Sequence, residues 1–231
     1  MTQICIFGDS WSYQSWQKAP NMKETSGSLT FQKMFAEHNI VVKNLSVQSC
    51  ANKDMLYQIK HNIELMRNSD LAIVFQTDPI RDIVHRRTFR FIDNFDHSKH
   101  SGILDISRWL LIQFYNELAE IQHRTKTPVL LVGGLSCLYS EAVPGNIQTL
   151  PMSWSELASP GFTDCFFEWD DFVDLLTLKI NNTEEVLEIK KQIQIKNHLW
   201  QTSDYFSWCH PSDLGYTIMF DTLLQTIKDK K

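Results

Sequence analysis

Short apolar runs alternate along this chain with stretches of helical periodicity, and this alternation limits the possible folds most. The runs are rich in β-branched residues and are bounded by polar residues or glycine, which is typical of buried strands. They cover residues 4–7, 40–42, 71–75 and 129–132. Because parallel strands are joined by crossover helices, strands that alternate with helices predict a three-layer α/β domain with a mainly parallel sheet.

Apolar residues recur every three to four positions between the strands, which is the spacing of a buried helix face. Such repeats cover residues 55–66 and 106–121. Two more helices are predicted near the end of the chain. One begins at the N-cap candidate Thr183 and continues toward residue 200, and the other begins after Pro211 with Ser212 as its N-cap. The apolar residues expected to face inward in the last helix are Tyr216, Met219, Leu223 and Ile227.

The length of 231 residues and the lack of an internal repeat predict one domain over residues 1–231. Two stretches depart from the alternating pattern, and we expect irregular insertions there. Residues 85–105 are charged and rich in histidine, and residues 136–169 are rich in Pro, Gly, Ser and Trp, with a candidate last strand near residues 162–167. Long loops of this kind are either solvated excursions or binding elements.

Composition excludes several classes of partner. The chain has 22 Lys and Arg against 27 Asp and Glu, a formal net charge of -5, so we expect neither nucleic acid nor an anionic membrane as a partner. No apolar run approaches the roughly 20 residues of a membrane helix, and no signal-peptide pattern precedes the first strand. These features predict a cytoplasmic protein. The aromatic content of 12% could fill a core or line a ligand cleft.

Neither a disulfide framework nor a metal site is predicted. The five cysteines are odd in number and contain no C-x-x-C pair, so reduced thiols are expected. A thiol site formed by Cys50 with Ser49, or by Cys209 with His210, is disfavoured, because the side chains of residues adjacent in sequence rarely point at each other. The stretch with Asp93, Asp96, His97 and His100 is more typical of a hydrated loop than of a metal site. No cofactor is expected.

Two sequence blocks could carry chemistry, one near each end of the chain. Gly8-Asp9-Ser10 follows the first strand, and the carboxyl ends of parallel strands are where ligands bind in open α/β sheets. A serine there becomes a nucleophile only if a base removes its proton. His210 is the best candidate base, because it directly precedes the predicted last helix. A turn at Gly8-Asp9-Ser10 and an element boundary at His210 are the structural alternatives.

Four motifs make the chain resemble the SGNH hydrolases, also called GDSL esterases and lipases. Gly8-Asp9-Ser10 matches the nucleophile block, and the segment from His210 to Tyr216 matches the final block. Residues 44–49 resemble the second block, with Ser49 at its glycine position. Residues 71–79 resemble the third block, but the family's Gly-x-Asn-Asp is replaced here. The replacing residues are Gln76, Thr77, Asp78 and Pro79.

The resemblance implies a flavodoxin-like sheet and a serine esterase without a cofactor. Its substrate would be a small acyl ester, such as an O-acetyl group on a carbohydrate. Ser10 would be the nucleophile and His210 the base, and the backbone N–H groups of Ser10 and Ser49 would bind the oxyanion. The alternative is a catalytically impaired SGNH-like module that recognises a glycan or a protein.

The departures from the family pattern leave three roles open. The acidic partner of the histidine is replaced by Ser207, so either Asp204 or a Ser10–His210 dyad supported by Ser207 is expected. An ionised Asp78 would repel the oxyanion, so the missing donor would come from Thr77, Asn52 or Arg81. Of these, Asn52 or Thr77 is expected to supply it. Substrate contacts are expected from the residues near the nucleophile and the third block. These are Trp11, Asp78 and Arg81, with core packing as the alternative for Trp11.

Overall fold

The computed structural model describes residues 2–9, 12, 31–47, 50–77, 79, 82, 103–134, 138–150, 152–153, 156, 206–207 and 210–229. Five strands in these ranges form one parallel sheet in the order β2-β1-β3-β4-β5. They are β1 (Thr2–Phe7), β2 (Ile40–Asn44), β3 (Leu71–Phe75), β4 (Val129–Val132) and β5 (Gln148–Leu150). This is the flavodoxin-like strand order, so the predicted sheet is confirmed.

Helices cover both faces of the sheet. They are α1 (Phe31–Ala36), α2 (Asn52–His61), α3 (Ile63–Arg67), α4 (Ile103–Thr125) and α5 (Asp213–Lys228). Residues of α1 and α5 pack with Ile4 and Ile6 of β1, whereas residues of α2, α3 and α4 pack with Cys5 and Phe7. Because side chains alternate between the faces of a strand, both faces of β1 are buried. The predicted three-layer α/β/α sandwich is therefore confirmed.

Aromatic residues fill much of the layer between the sheet and α1 and α5. Phe31 stacks on Phe75 with ring centroids 6.1 Å apart and meets Tyr216 edge to face at 5.8 Å. Phe35 meets Phe220 edge to face at 4.9 Å. These five aromatic side chains belong to the core rather than to a cleft.

The last helix forms as the sequence predicts. The Oγ of Ser212 accepts a hydrogen bond from the Gly215 N–H at 3.2 Å, which caps α5 at its first turn. All four predicted inward-facing residues are buried. Immediately before this helix, β6 (Phe206–Ser207) and β7 (His210–Pro211) form an antiparallel ribbon that pairs Ser207 with His210.

The structure corrects three details of the sequence-based boundaries. The repeat at residues 55–66 is two helices, which meet at Asn62, where the backbone angles φ -109° and ψ 28° depart from helical values. Helix α4 begins at Ile103, so the insertion near residues 85–105 stops earlier than expected. The segment 136–169 contains β5, which the apolar pattern missed because two of its three residues are exposed.

Several sequence predictions lie outside the described residues. These are the strand near residues 162–167, the helix from Thr183 toward residue 200, and the remainder of both insertions. The single domain over residues 1–231 stays a prediction.

Candidate active site

Three buried polar residues meet at one edge of the sheet. Asp9, Ser46 and Thr77 each lie two positions beyond the end of a strand, β1, β2 and β3 respectively. Their exposed fractions are 1%, 4% and 0%. In this strand order the topological switch point lies between β1 and β3, where open α/β sheets bind ligands. The residues that follow the three strands therefore converge at the expected place for a site.

The turn after β1 is held from the side of β2. The Ser12 N–H donates to Asp9 O at 3.2 Å. The hydroxyl of Ser12 lies 2.8 Å from that of Ser46, and Asn44 Nδ2 donates to Ser12 O at 2.6 Å. A Cβ on Gly8 would lie 2.0 Å from Ser12 Oγ, so a larger residue at position 8 would displace the Ser12 hydroxyl from Ser46.

The same turn is held from the side of β3. The hydroxyl of Thr77 donates to Asp9 Oδ2 at 3.0 Å. The peptide groups of Thr77 pair with the side chain of Asn52, whose Oδ1 accepts from Thr77 N–H at 2.9 Å and whose Nδ2 donates to Thr77 O at 3.1 Å. Asn52 thus pairs with this backbone much as a neighbouring strand would.

Asp82 completes the network at the start of α2. Its Oδ2 accepts from Asn52 Nδ2 at 3.1 Å, and its Oδ1 accepts from the Lys53 N–H at 2.9 Å. The N-cap residue of α2, Ala51, makes no side-chain capping bond, so Asp82 caps the helix from a distant part of the chain. Burial raises the pKa of Asp82 to about 7, while the bonds from Lys53 and Asn52 oppose this shift.

This network changes what Asn52 and Thr77 can offer an oxyanion. Both Nδ2 hydrogens of Asn52 donate within the network, and so do the hydroxyl and the N–H of Thr77. A donor role for either residue requires one of these buried bonds to open. The oxyanion prediction for Asn52 and Thr77 therefore stays a prediction, and their contacts favour a structural role.

We expect Asp82 to make stability depend on pH. Because its pKa is raised from 3.8 to about 7 in the folded chain, the folded state binds the proton more tightly than the unfolded state. The stabilisation that comes from this tighter proton binding is fully present below about pH 4 and is lost as the pH rises through about 7. Above that pH the stability no longer changes with the ionisation of Asp82. Urea unfolding from about pH 5 to about pH 8 should show the free energy of unfolding of the wild type falling relative to Asp82→Asn. Parallel pH dependences of the two proteins would contradict this.

Other predicted site residues lie outside the described residues, although their neighbours are placed. Ser10 and Trp11 fall between Asp9 and Ser12, and Ser49 precedes the buried Cys50. The remaining ones are Asp78, Arg81 and Asp204. For His210 and Ser207 the backbone is placed in the ribbon before α5, and they are paired there.

Sequence reasoning missed several residues of this site. Asp82 lies 30 positions from Asn52, and no local pattern links the two. The available signal was Ala51, an N-cap residue whose side chain cannot accept a hydrogen bond, so that the first N–H groups of α2 need an acceptor from elsewhere in the chain. The buried hydroxyl of Tyr115 was also missed; it donates to Gln76 Oε1 and accepts from the Tyr139 N–H at 3.1 Å, next to Thr77.

Thiol and metal chemistry have no support in the described part of the chain. Cys5 and Cys50 are buried free thiols there, and burial raises the pKa of Cys5 to about 11. No group of three His, Cys, Asp or Glu residues that could hold a metal ion occurs among the described residues. The stretch with Asp93, His97 and His100 lies outside them. None of the described helices is long and apolar enough to cross a membrane.

The fold and this edge define a flavodoxin-like α/β protein with a buried polar network at its switch point. No family model and no curated protein sequence matches the chain. Similar solved structures include a lipase/acylhydrolase from Enterococcus faecalis (15% identity, covering 100% of this chain and 97% of that one, TM-score 0.45). Others are an esterase from Pseudoalteromonas sp. (12%, 99% and 98%, 0.44) and an acetyl xylan esterase (12%, 97% and 99%, 0.47).

Proposed function

We propose that this protein is a serine esterase that hydrolyses a small acyl ester, such as an O-acetyl group on a carbohydrate. The observation that carries the proposal is the way in which Asp9 and Ser12 are held just beyond the carboxyl end of β1. Thr77 bonds Asp9 from the end of β3, and Asn44 and Ser46 bond Ser12 from the end of β2. Ser10 lies between these two residues in the sequence, and firmly held neighbours are the kind of support a nucleophile requires.

In the proposed reaction Ser10 Oγ attacks the acyl carbon while the imidazole of His210 takes its proton. The backbone N–H groups of Ser10 and Ser49 stabilise the oxyanion of the tetrahedral intermediate. The intermediate expels the alcohol, which receives the proton from His210, and leaves an acyl-Ser10 ester. Water, deprotonated by His210, then hydrolyses this ester and restores both residues. Every step uses residues of the chain and water.

The group that orients His210 is proposed to be either Asp204 or Ser207. The pairing of Ser207 opposite His210 in the ribbon supports Ser207. A carboxylate would stabilise the protonated imidazole more strongly than a hydroxyl, so a Ser207-supported dyad would give a weaker base than a full triad. Trp11, Asp78 and Arg81 are proposed to contact the substrate, with Trp11 stacking on a sugar or packing on the acyl chain.

A fluorophosphonate probe tests the proposal without knowledge of the natural substrate. We expect the wild type to be labelled covalently, with the label on the peptide that contains Ser10, as read by mass spectrometry. Ser10→Ala and His210→Ala should not be labelled, whereas Ser140→Ala, which changes an exposed serine that has no role in the proposed reaction, should be labelled like the wild type. A folded wild type that resists the probe would contradict the esterase.

The second candidate is a binding module that keeps the fold and recognises a glycan or a protein. One observation favours it: the side-chain hydrogens of Asn52 and Thr77, which could replace the missing family asparagine as donors, are bound within the network. Saturable sugar binding by a protein that the probe does not label would support this candidate over the esterase.

A further inference from the structure

The residue before the proposed nucleophile is held by a hydroxyl of the neighbouring strand end. We propose that Thr77 is a positioning residue whose hydroxyl, through Asp9, fixes the turn that carries Ser10. This inference rests on the proposed function, because it assigns Thr77 a role in keeping Ser10 in its reactive position. Thr77 would touch no substrate, and its effect would pass through Asp9 alone.

Asp9 is held through its main chain and its side chain. Its carbonyl oxygen accepts the Ser12 N–H at 3.2 Å, and its Oδ2 accepts the Thr77 hydroxyl at 3.0 Å. The residue is only 1% exposed, so water cannot readily replace a lost donor. A buried carboxylate that loses a donor is solvated and held less well, which favours a shift in its position. Any such movement is transmitted to the next residue in the chain, which is Ser10.

Thr77 is itself well fixed, which makes it a suitable anchor. Asn52 pairs with both of its peptide groups, at 2.9 Å and 3.1 Å, and Asp82 holds Asn52 in turn. The preceding residue, Gln76, donates its N–H to Val132 O at 2.9 Å. A donor whose own position is set by several buried bonds can orient its partner closely, as supporting residues do in preorganised sites.

The contacts from β2 reach the turn at its other end. Asn44 and Ser46 bind Ser12, whereas Thr77 binds Asp9. Asp9, which directly precedes Ser10 in the sequence, is therefore bonded from the end of β3, and Ser12 is bonded from the end of β2. Removal of the Thr77 hydroxyl should eliminate its hydrogen bond to Asp9 and leave the bonds of Asn44 and Ser46 to Ser12 in place.

Two substitutions at position 77 separate the hydroxyl from the shape of the side chain. Thr77→Val replaces the hydroxyl by a methyl group of similar size, and Thr77→Ser keeps the donor. If valine prevents folding, Thr77→Ala removes the same donor without placing a methyl group against the carboxylate. Thr127→Val is the matched control, because Thr127 is also buried and donates to Met66 O at 2.7 Å, but lies before β4 at the opposite edge of the sheet.

The first readout is turnover of an activated acetyl ester. We expect Thr77→Val to lower kcat about 10- to 100-fold with little change in KM, because displacement of a nucleophile by about 1 Å slows the chemical step. Thr77→Ser should retain a kcat close to that of the wild type. Thr127→Val should lose stability without losing kcat. Equal kcat for folded Thr77→Val and wild type would overturn the inference.

The second readout is hydrogen exchange of the Ser12 amide, measured by NMR, which does not require activity. We expect this amide to exchange faster in Thr77→Val than in the wild type, Thr77→Ser or Thr127→Val. The exchange rate of the Ala72 amide, which donates to Pro128 O at the other edge of the sheet, should be the same in the position 77 variants as in the wild type. If the wild type proves inactive, the proposed function fails, while faster Ser12 exchange would still show that Thr77 holds the turn. Unchanged Ser12 exchange overturns the inference in either case.

Discussion

Replacing Ser10 by alanine is expected to reduce turnover of an activated acetyl ester by at least about a thousandfold while leaving the fold intact. A nucleophile has no substitute once its oxygen is gone, and only substrate binding and the oxyanion donors remain to accelerate attack by water. The measurement is initial-rate hydrolysis of p-nitrophenyl acetate by purified wild type and variant, with thermal unfolding to confirm that both are folded.

Ser140→Ala is the matched control for this loss. Ser140 is exposed in the 3₁₀ turn Ser140–Ala142, so its removal should leave both turnover and stability unchanged. Equal turnover by Ser10→Ala and the wild type would exclude Ser10 as the nucleophile. His210→Ala should show a loss of similar size to Ser10→Ala, and the double variant should lose little more, because the two residues act as a unit.

A second large effect, on stability, is expected from a substitution at Gly134, just after β4. A Cβ at position 134 would lie 1.1 Å from the backbone oxygen of Gln76, which cannot move without shifting the end of β3. We expect Gly134→Ala to lower the free energy of unfolding by about 3 kcal/mol or more, since overpacking against backbone is relieved only by distortion. A protein of this kind has a total stability of about 5 to 15 kcal/mol, so the loss would be severe.

Gly145→Ala is the control for Gly134→Ala in urea unfolding. Nothing lies within 4 Å of a Cβ built at Gly145, so its effect should be close to zero or slightly stabilising. Equal unfolding midpoints for the two variants would contradict the close approach of Gly134 to Gln76. Because Gln76 directly precedes Thr77, any Gly134→Ala protein that still folds should also exchange the Ser12 amide faster than Gly145→Ala.

The main elements of the fold could be predicted from the sequence because their signals are local. Strands β3 and β4 were bounded correctly, since strands covered on both faces are continuous apolar runs. Helix α5 was also predicted with its Ser212 cap and its buried face. Strand β5 was not, because it is largely exposed and lacks such a run. The break between α2 and α3 lies at the single residue Asn62, and the apolar repeat, which continues across it, gives no sign of it.

For the candidate site, the sequence by itself determined that Gly8-Asp9-Ser10 follows the first strand and that His210 precedes the last helix. It also indicated that Asn52 and Thr77 belong near the site. Only the tertiary structure decided which groups Asn52 and Thr77 bond to, because their hydrogen-bond partners come from distant parts of the chain. Asp9 and Thr77 are 68 positions apart, and their contact follows from β1 and β3 being neighbours in the sheet. Hydrogen-bond partners at such separations are set by strand order, which a local pattern of residues does not contain.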